Sequence, residues 1–173
     1  MSKLANILEE LLSTFKKLRN PDTGCPWDRE QDFKSIASCA IEEAYEVADA
    51  IEREDFEGLK AELGDLLFQI VCHAEMAKEQ NLFSLSEVVD ELNSKLIRRH
   101  PHVFADSSAD TAEGSLEIWE DVKARERKDK NLNSILDDVP SNLPSLTRAK
   151  KLQKRAKRVG FDWNDANEVM KKL

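Results

Sequence analysis

Residues 41–67, IEEAYEVADAIEREDFEGLKAELGDLL, carry ten carboxylates and only two basic side chains. Two pairs of these acids, Glu43 with Glu46 and Glu62 with Asp65, have the i,i+3 spacing that places side chains on neighbouring helix surface. Two carboxylates about 5 Å apart repel by roughly 3 kcal/mol at an effective dielectric constant near 20. Because a marginally stable domain does not absorb four such charges easily, the spacing indicates a bound cation or side chains that point apart.

The ligand types in these pairs favour a hard divalent cation. A site made only of oxygen ligands, without cysteine or paired histidine, suits Mg²⁺ or Mn²⁺. Mg²⁺ held by carboxylates with open water positions is how proteins bind the phosphates of nucleotides. A ferritin-like di-iron site requires Glu-x-x-His on two helices, and no histidine in this chain has a glutamate three residues before it.

The competing interpretation is that the acids lie on a solvated helix surface and bind no cation. Such a surface is the expected location of four acids near the turn between the two helices: Glu52, Glu54, Asp55 and Glu57. On a helical wheel of about 100° per residue, the acids from Glu42 onward form one face of their helix, and Glu62 borders the apolar face of the next. Antiparallel packing of these two helices would bring the two acid pairs together at the edge of a bundle.

A cationic cluster, Lys95, Arg98 and Arg99, ends a predicted helix in KLIRRHPHVF. Cations beside an acidic metal site suit a triphosphate, which needs its charge neutralised from both sides. Complementarity with the helix dipole explains the same residues equally well on spacing alone. Trp27 and Trp119 are able to stack on a base, although core or interface packing is the commoner role of tryptophan.

Hydrophobic periodicity predicts helices throughout the chain and no strand. The predicted helices cover about 3–19, 33–53, 56–80, 84–99, 113–130, 143–160 and 161–173. SLSE at 84–87 is typical of a capping box. NPDTGCPWD, HPHVFADSSADT and DDVPSNLPS predict the breaks between helices. We therefore expect an all-α fold whose core is a bundle of the first four of these helices.

The composition of the chain limits which binding partners and which cellular compartment we expect. The net charge of −8 weighs against nucleic acid and anionic membranes as partners, and no apolar run approaches the roughly 18 residues that span a bilayer. Three widely spaced cysteines without a CxxC motif indicate a reducing compartment, which we predict to be the cytoplasm. The basic stretch Arg148–Arg158 is a possible polyanion contact, as in a helical adaptor, or else a solvated linker helix.

The acid motif resembles that of a known family. EEAYE at 42–46, followed after fifteen residues by ELGD at 62–65, is similar to the EExxE…ExxD signature of the MazG nucleoside triphosphate pyrophosphohydrolases. CPWDREQDF, GDLLFQIV, KLIRRHPHVFAD, WEDVKARE and VGFDW also resemble MazG sequences, in the same order. The likeness covers about residues 8–165.

The resemblance implies a fold, a reaction and a metal. MazG domains are dimerising helical bundles that use Mg²⁺ to split a nucleoside triphosphate and water into the monophosphate and pyrophosphate. The resemblance implies Glu43, Glu46, Glu62 and Asp65 as metal ligands. Glu42 would support the metal ligands from behind or orient water, and Glu42 and Glu43 are the catalytic candidates.

The resemblance also implies how the substrate is held. Lys95, Arg98 and Arg99 resemble the phosphate-contacting cations of the family, and Trp119 resembles its nucleotide-contacting tryptophan. We expect nucleoside triphosphates and a second copy of the chain as partners, with Mg²⁺ as cofactor and Mn²⁺ as a possible substitute. No residue stands out as a reader of the base.

Two departures from the family pattern lead to an alternative function. MazG proteins commonly carry two such domains, and here the likeness predicts one MazG-like domain over 1–135 and a linker helix with the start of a second, truncated domain over 136–173. Cys39 stands where active domains can have lysine. The alternative is a catalytically weak domain that dimerises or senses nucleotides in support of an absent C-terminal catalytic domain.

Overall fold

The regular structure of the chain is entirely helical in the part that is described. A computed structural model describes residues 2–105, 107–129, 134–161, 165 and 169–171 and contains no strand among them. The helices are α1 Lys3–Leu18, α2 Pro26–Glu30, α3 Ala37–Glu52, α4 Phe56–Glu79, α5 Leu85–Arg99, α6 Pro101–Phe104, α7 Ala112–Asp129 and α8 Ser145–Lys157. The predicted all-α fold is therefore confirmed, and none of these helices is long and apolar enough to cross a membrane.

Backbone contacts divide the chain into two compact units, Met1–Lys95 and Leu96–Leu173. The division falls inside α5, so the first unit holds α1 to α4 with most of α5, and the second holds α6 to α8. The domain boundary predicted after residue 135 stays a prediction.

A tight connection joins α3 to α4. The backbone N–H of Asp55 donates to the carbonyl of Ala50 at 3.0 Å, which closes the end of α3. Glu54 takes the left-handed conformation with φ of 55° that this type of helix end requires. The Asp55 carboxylate then accepts from the backbone N–H of Gly58 at 2.9 Å and caps α4. With only three residues between them, the two helices pack as antiparallel neighbours.

The core of the first unit lies along α4. It consists of Phe15, Ile36, Val71, Cys72, Ala74, Met76 and Leu85. The helix pairs in close backbone contact here are α3 with α4 and α1 with α4. The fourth helix of the bundle, α5, joins this core through Leu85, while Val88, Val89 and Leu92 farther along it are exposed.

Arg19 holds the segment after α1 against the end of α4. Its Nε and Nη2 atoms donate to the two carboxylate oxygens of Glu79 at 2.8 and 2.7 Å. Its Nη1 atom donates to the carbonyls of Asp28 and Gln31. One guanidinium therefore fixes both the end of α4 and the short helix α2.

Two breaks predicted from the sequence are partly helical, so the loop prediction is wrong there. α2 lies within NPDTGCPWD and its continuation, and α6 lies within HPHVFADSSADT. Each begins with a proline, Pro26 or Pro101, in the first turn of the helix. Proline is well tolerated at this position because its missing N–H has no partner to lose there.

The start of α3 also differs from the prediction, which placed it near Phe33. The carboxylate of Asp32 accepts from the backbone N–H groups of Lys34 and Ser35 at 2.8 Å each, and the Ser35 hydroxyl accepts from the Asp32 N–H at 2.9 Å. These side chains satisfy the backbone in a turn, so the helix begins only at Ala37.

At the other end of the chain, Gly160 terminates the helical segment that contains α8, at the end of the helix predicted over 143–160. Its φ is 78°, and the N–H of Phe161 reaches the carbonyl of Ala156 at 3.0 Å. The helix predicted over 161–173 lies largely outside the described residues.

The core location of Met76 predicts a stability effect. Met76 is 2% exposed, so Met76→Ala leaves a cavity and lowers the free energy of unfolding by about 2–5 kcal/mol. Urea unfolding followed by circular dichroism measures this. Leu4→Ala, at a site 74% exposed in the same unit, is the control and changes stability by less than about 0.5 kcal/mol. Equal effects of the two substitutions would contradict the described core.

Candidate functional site

Three acids from α3 and α4 meet at one place. Glu43, Glu62 and Asp65 each offer a carboxylate oxygen, and these three oxygens lie within 4.8 Å of one another. Glu43 and Glu62 are half-buried, whereas Asp65 is exposed. The antiparallel hairpin produces this meeting, since Glu43 lies near the middle of α3 and the other two lie in the first half of α4.

Like charge raises the energy of this cluster. The pKa of Glu43 is raised above its ordinary value by burial, by the charge and hydrogen bond of Glu46, and by the charges of Asp65 and Glu62. Within the described part of the chain, none of these four acids forms an ion pair with lysine or arginine. The cluster therefore has the donor set and the excess negative charge that a hard divalent cation would offset.

The structure places the remaining predicted acids differently. Glu46 is exposed and acts on the cluster through Glu43, but it is not one of the three acids whose oxygens converge. Glu42 is exposed on α3 and lies outside that group. The roles of both residues stay predictions.

The acids at the turn between α3 and α4 have ordinary surface roles. Asp49 accepts from Arg53 at 2.8 Å, and Glu57 accepts from Lys60 at 2.9 Å. Arg53 also lies 3.7 Å from Asp55. Arg53 and Lys60, the two basic residues of the acidic stretch, thus pair with acids at the turn. They form no ion pair with the three converging acids.

Cys39 belongs to the apolar interior. It is half-buried and lines a small cavity with Phe15, Ile36, Phe68 and Cys72, among others. It is therefore part of the packing of α1, α3 and α4 and is not among the converging acids.

The predicted arginines of the cationic cluster are held by a carboxylate in the second unit. Arg98 Nε lies 2.8 Å from Glu126 Oε1, and Arg99 Nη2 lies 2.6 Å from Glu126 Oε2. The hydrogen bonds and charges of Arg99 and Arg98 lower the pKa of Glu126 to about 2, against the opposing effect of burial. Glu126 is therefore ionised across the physiological range.

Trp119 lies among the same cations. Lys123 Nζ is 4.6 Å from the centroid of the indole ring, and Arg99 Cζ is 5.8 Å from it. Both distances are within the range of cation–π attraction. Arg98, Arg99 and Trp119 thus lie in one cluster, while Lys95 belongs to the first unit. The assignment of these residues to the substrate stays a prediction.

Sequence reasoning missed Glu126 and Lys123, the two residues that complete this cluster. A signal was present in WEDVKARE, because Lys123 follows Trp119 by four residues and Glu126 follows Lys123 by three. Such spacings place side chains on one face of a helix. The pairing of Glu126 with Arg98 and Arg99, which lie 28 and 27 residues away, has no such local signal.

Comparison with known proteins identifies the domain that contains the acids. Residues 31–104 match the family described as the MazG nucleotide pyrophosphohydrolase domain. The converging acids Glu43, Glu62 and Asp65 lie inside this match, as do Arg98 and Arg99.

Named relatives extend the likeness across the chain. A nucleoside triphosphate pyrophosphohydrolase of Escherichia coli (strain K12) is 51% identical over 97% of this chain and 64% of its own length. The nucleoside triphosphate pyrophosphohydrolase/pyrophosphatase MazG of Thermotoga maritima is 43% identical over 100% of this chain and 66% of its own length. The chain therefore spans a little under two thirds of these relatives.

A solved structure shows a similar fold. The crystal structure of a mazG-related protein from Thermotoga maritima has a TM-score of 0.55 and 24% sequence identity to this chain. The match covers 69% of this chain and 98% of that one. At this identity the likeness concerns the fold alone.

The ion pairs of Glu126 predict a pH-dependent effect on stability. Glu126→Gln removes the charge that binds Arg98 and Arg99, which lowers the free energy of unfolding at pH 7 by about 1–2 kcal/mol after screening at the exposed Arg98. Because the folded pKa of about 2 lies below the ordinary 4.5, this contribution is complete above about pH 4.5 and is lost as pH falls towards 2.

Urea unfolding of the wild type and Glu126→Gln between pH 7 and pH 3.5 measures this difference. It should be constant down to about pH 5 and shrink below about pH 4.5. Glu117→Gln, an exposed site on the same helix, is the control and should show no such change. A difference for Glu126→Gln that does not depend on pH would refute the ion pairs.

Proposed function

We propose that this chain is a MazG-family nucleoside triphosphate pyrophosphohydrolase that depends on a divalent cation, because residues 31–104 match the MazG domain and the Escherichia coli relative is 51% identical. The reaction converts a nucleoside triphosphate and water into the monophosphate and pyrophosphate. The observation that carries the proposal is the approach of the Glu43, Glu62 and Asp65 oxygens to within 4.8 Å of one another. No lysine or arginine among the described residues pairs with these acids, and their oxygens have the arrangement of cation ligands.

The proposed cofactor is Mg²⁺, with Mn²⁺ as a possible substitute. Glu43, Glu62 and Asp65 would hold it, and Glu46 is near enough to Glu43 to take part. A bound divalent cation supplies polarisation of phosphate oxygens and a lower pKa of bound water. The oxygen-only donor set fits these ions better than zinc or iron.

Further residues are assigned to the attacking water and to the substrate. Glu42, with Glu43, is assigned to orienting the attacking water and to accepting its proton, for which a carboxylate is suited. Lys95, Arg98 and Arg99 are assigned to the phosphates by their charge, and Trp119 to the nucleotide by its aromatic face. The base preference is left open.

The pairing of the arginines with Glu126 is compatible with this assignment. Arg99 donates to Glu126 through Nε and Nη2. A guanidinium has five N–H donors in total, so Arg99 retains donors on Nη1 for a phosphate. Glu126 therefore orients this arginine and need not leave before substrate binds.

We also propose that the protein acts as a homodimer in the cytoplasm. Apolar side chains are exposed on three helices of the first unit, including Ile41 on α3, Leu67 and Ile70 on α4, and Val89 and Leu92 on α5. Burial of such a surface against a second copy would remove it from water. The three free cysteines support a reducing compartment.

A second candidate function is a nucleotide-binding or dimerising domain with little turnover. Two observations favour it. Cys39 lies in the apolar interior, where the family resemblance implies that active domains can have lysine. The single charge of Glu126 already offsets part of the charge of Arg98 and Arg99. This candidate predicts binding of nucleotide and dimerisation without release of pyrophosphate.

An activity assay separates the two candidates. With Mg²⁺ and a panel of nucleoside triphosphates, the wild type should release monophosphate and pyrophosphate. Glu62→Gln should lower kcat/KM by on the order of 100-fold or more, because the contact of a catalytic cation with charge in the transition state is worth several kcal/mol. Glu57→Gln, at an exposed side chain paired with Lys60, is the matched control and should retain activity.

Absence of turnover with every nucleotide, together with nucleotide binding, would support the second candidate. Equal activity of Glu62→Gln and the wild type would contradict the assigned cation site.

The oligomeric state is tested by adding a charge to the exposed apolar face. Leu92 on α5 is 49% exposed, and Leu92→Glu should convert a dimer into a monomer, because an unpaired buried charge is costly. Light scattering after size-exclusion chromatography measures the mass. Leu146→Glu, 86% exposed on α8, is the control and should leave the dimer intact. A monomeric wild type would overturn the dimer proposal.

A further inference from the structure

A strongly cationic cleft lies between α7 and α8 in the second unit. It has a volume of about 310 Å³, and nine residues line it. Seven of these are lysine or arginine, and the other two are Glu120 and Thr147. The volume lies at the lower end of the range of small-molecule sites, about 300–1,000 Å³.

Helical spacing directs these cations into the cleft. On α8, Lys150, Lys154 and Arg158 follow one another at intervals of four residues, and Lys151 and Arg155 form a second row with the same interval. Residues four apart lie on the same face of a helix. From α7 the cleft receives Lys123 and Arg127, again four residues apart.

Part of this charge is balanced within the second unit. The buried carboxylate of Glu120 lies 3.0 Å from Lys154, 3.1 Å from Arg158 and 3.9 Å from Lys123. Burial acts to raise its pKa, but the hydrogen bond of Lys154 and the neighbouring charges hold it below the ordinary value. Glu120 is therefore ionised and holds the cations on one side of the cleft in place.

Of the remaining four cations of the cleft, one has a carboxylate partner and three have none among the described residues. Arg155 pairs with Asp138 and donates to the carbonyl of Asp137 at 2.6 Å. Arg127, Lys150 and Lys151 have no carboxylate partner in the described part of the chain. Three like charges thus converge on one concavity whose single lining carboxylate, Glu120, pairs with other cations.

The neighbouring cations also affect the pKa of Lys123. Its pKa is lowered by burial first and then by the charges of Arg99, Arg127 and Arg155, although Glu120 opposes the shift. A bound anion in the cleft would relieve this repulsion.

We propose that the cleft between α7 and α8 is a binding site for a small ligand that contains two or more linked phosphate groups. Arg127, Lys150 and Lys151 provide the principal contacts, and Lys123 and Lys154 flank them. Cations from two facing helices suit a flexible phosphate chain, whose charge is distributed over several oxygens.

The principal contacts of the site, Arg127, Lys150 and Lys151, lie outside the family match, and the proposal does not rest on the proposed hydrolysis. The residues of the cleft include none of the converging acids. Binding there needs no divalent cation, because lysine and arginine supply the charge. Nucleic acid suits the observations less well, since the chain as a whole has a net charge of −8 and the cations line a small concavity.

Calorimetric titration with inorganic pyrophosphate in the presence of EDTA tests the proposal. The full chain and its Glu62→Gln variant should bind with the same affinity, because metal-dependent binding at the acids is absent in EDTA. Lys150→Gln/Lys151→Gln should weaken binding by roughly tenfold or more, as should Arg127→Gln, since each removes charge-assisted contacts. Lys16→Gln/Lys17→Gln, two exposed neighbours on α1, are the matched control and should leave binding unchanged.

A parallel titration with a nucleoside triphosphate and with the nucleoside itself identifies the source of the phosphates. Binding of the triphosphate but not the nucleoside supports recognition of the phosphate chain. Tighter binding of a single-stranded oligonucleotide than of pyrophosphate would overturn the proposal in favour of a nucleic-acid surface. Absence of binding in EDTA, or equal binding by the wild type and Lys150→Gln/Lys151→Gln, would also overturn it. Circular dichroism melting of each variant confirms that the fold is retained.

Discussion

Repulsion between carboxylates on α3 and α4 is the constraint on which the account of this protein depends. The capped turn at Glu54 and Asp55 fixes the hairpin, and the hairpin brings the oxygens of Glu43, Glu62 and Asp65 within 4.8 Å of one another. The apolar faces of the same helices build the core around Val71 and Met76, so the helices cannot easily separate to relieve the charge. A cation bound among the acids would offset this repulsion, and the proposed metal-dependent activity rests on such binding.

In the second unit, unlike the first, the buried carboxylate of Glu120 and the half-buried carboxylate of Glu126 each pair with two or more cations. Glu126 binds Arg98 and Arg99, and Glu120 binds Lys154 and Arg158. These pairs order the long side chains at little net cost, since the two signs meet directly. The surplus of cations beyond them, on α7 and α8, distinguishes the proposed oligophosphate site from an ordinary ion-pair network.

Much of the fold and of the acid site could be predicted because the signals are local. The i,i+3 spacing of Glu62 and Asp65 and the short connection to α3 predict both a shared face and an antiparallel neighbour. The late start of α3 depends on side-chain bonds of Asp32 and Ser35 to the backbone, which periodicity does not report. The pairing of Glu126 with Arg99 joins residues 27 apart, and that of Glu120 with Lys154 joins residues 34 apart. Pairing between residues so far apart in the sequence depends on tertiary packing, which helical periodicity does not report.

The most direct test of the central claim compares the unfolding free energies of the wild type and Glu62→Gln in EDTA and in Mg²⁺. If the acids repel one another until a cation binds, Glu62→Gln is the more stable protein in EDTA, because it carries one charge fewer in the cluster. In Mg²⁺ the order reverses, because a ligand that binds only the folded state stabilises the wild type. The same order of stability in both solutions would contradict the account.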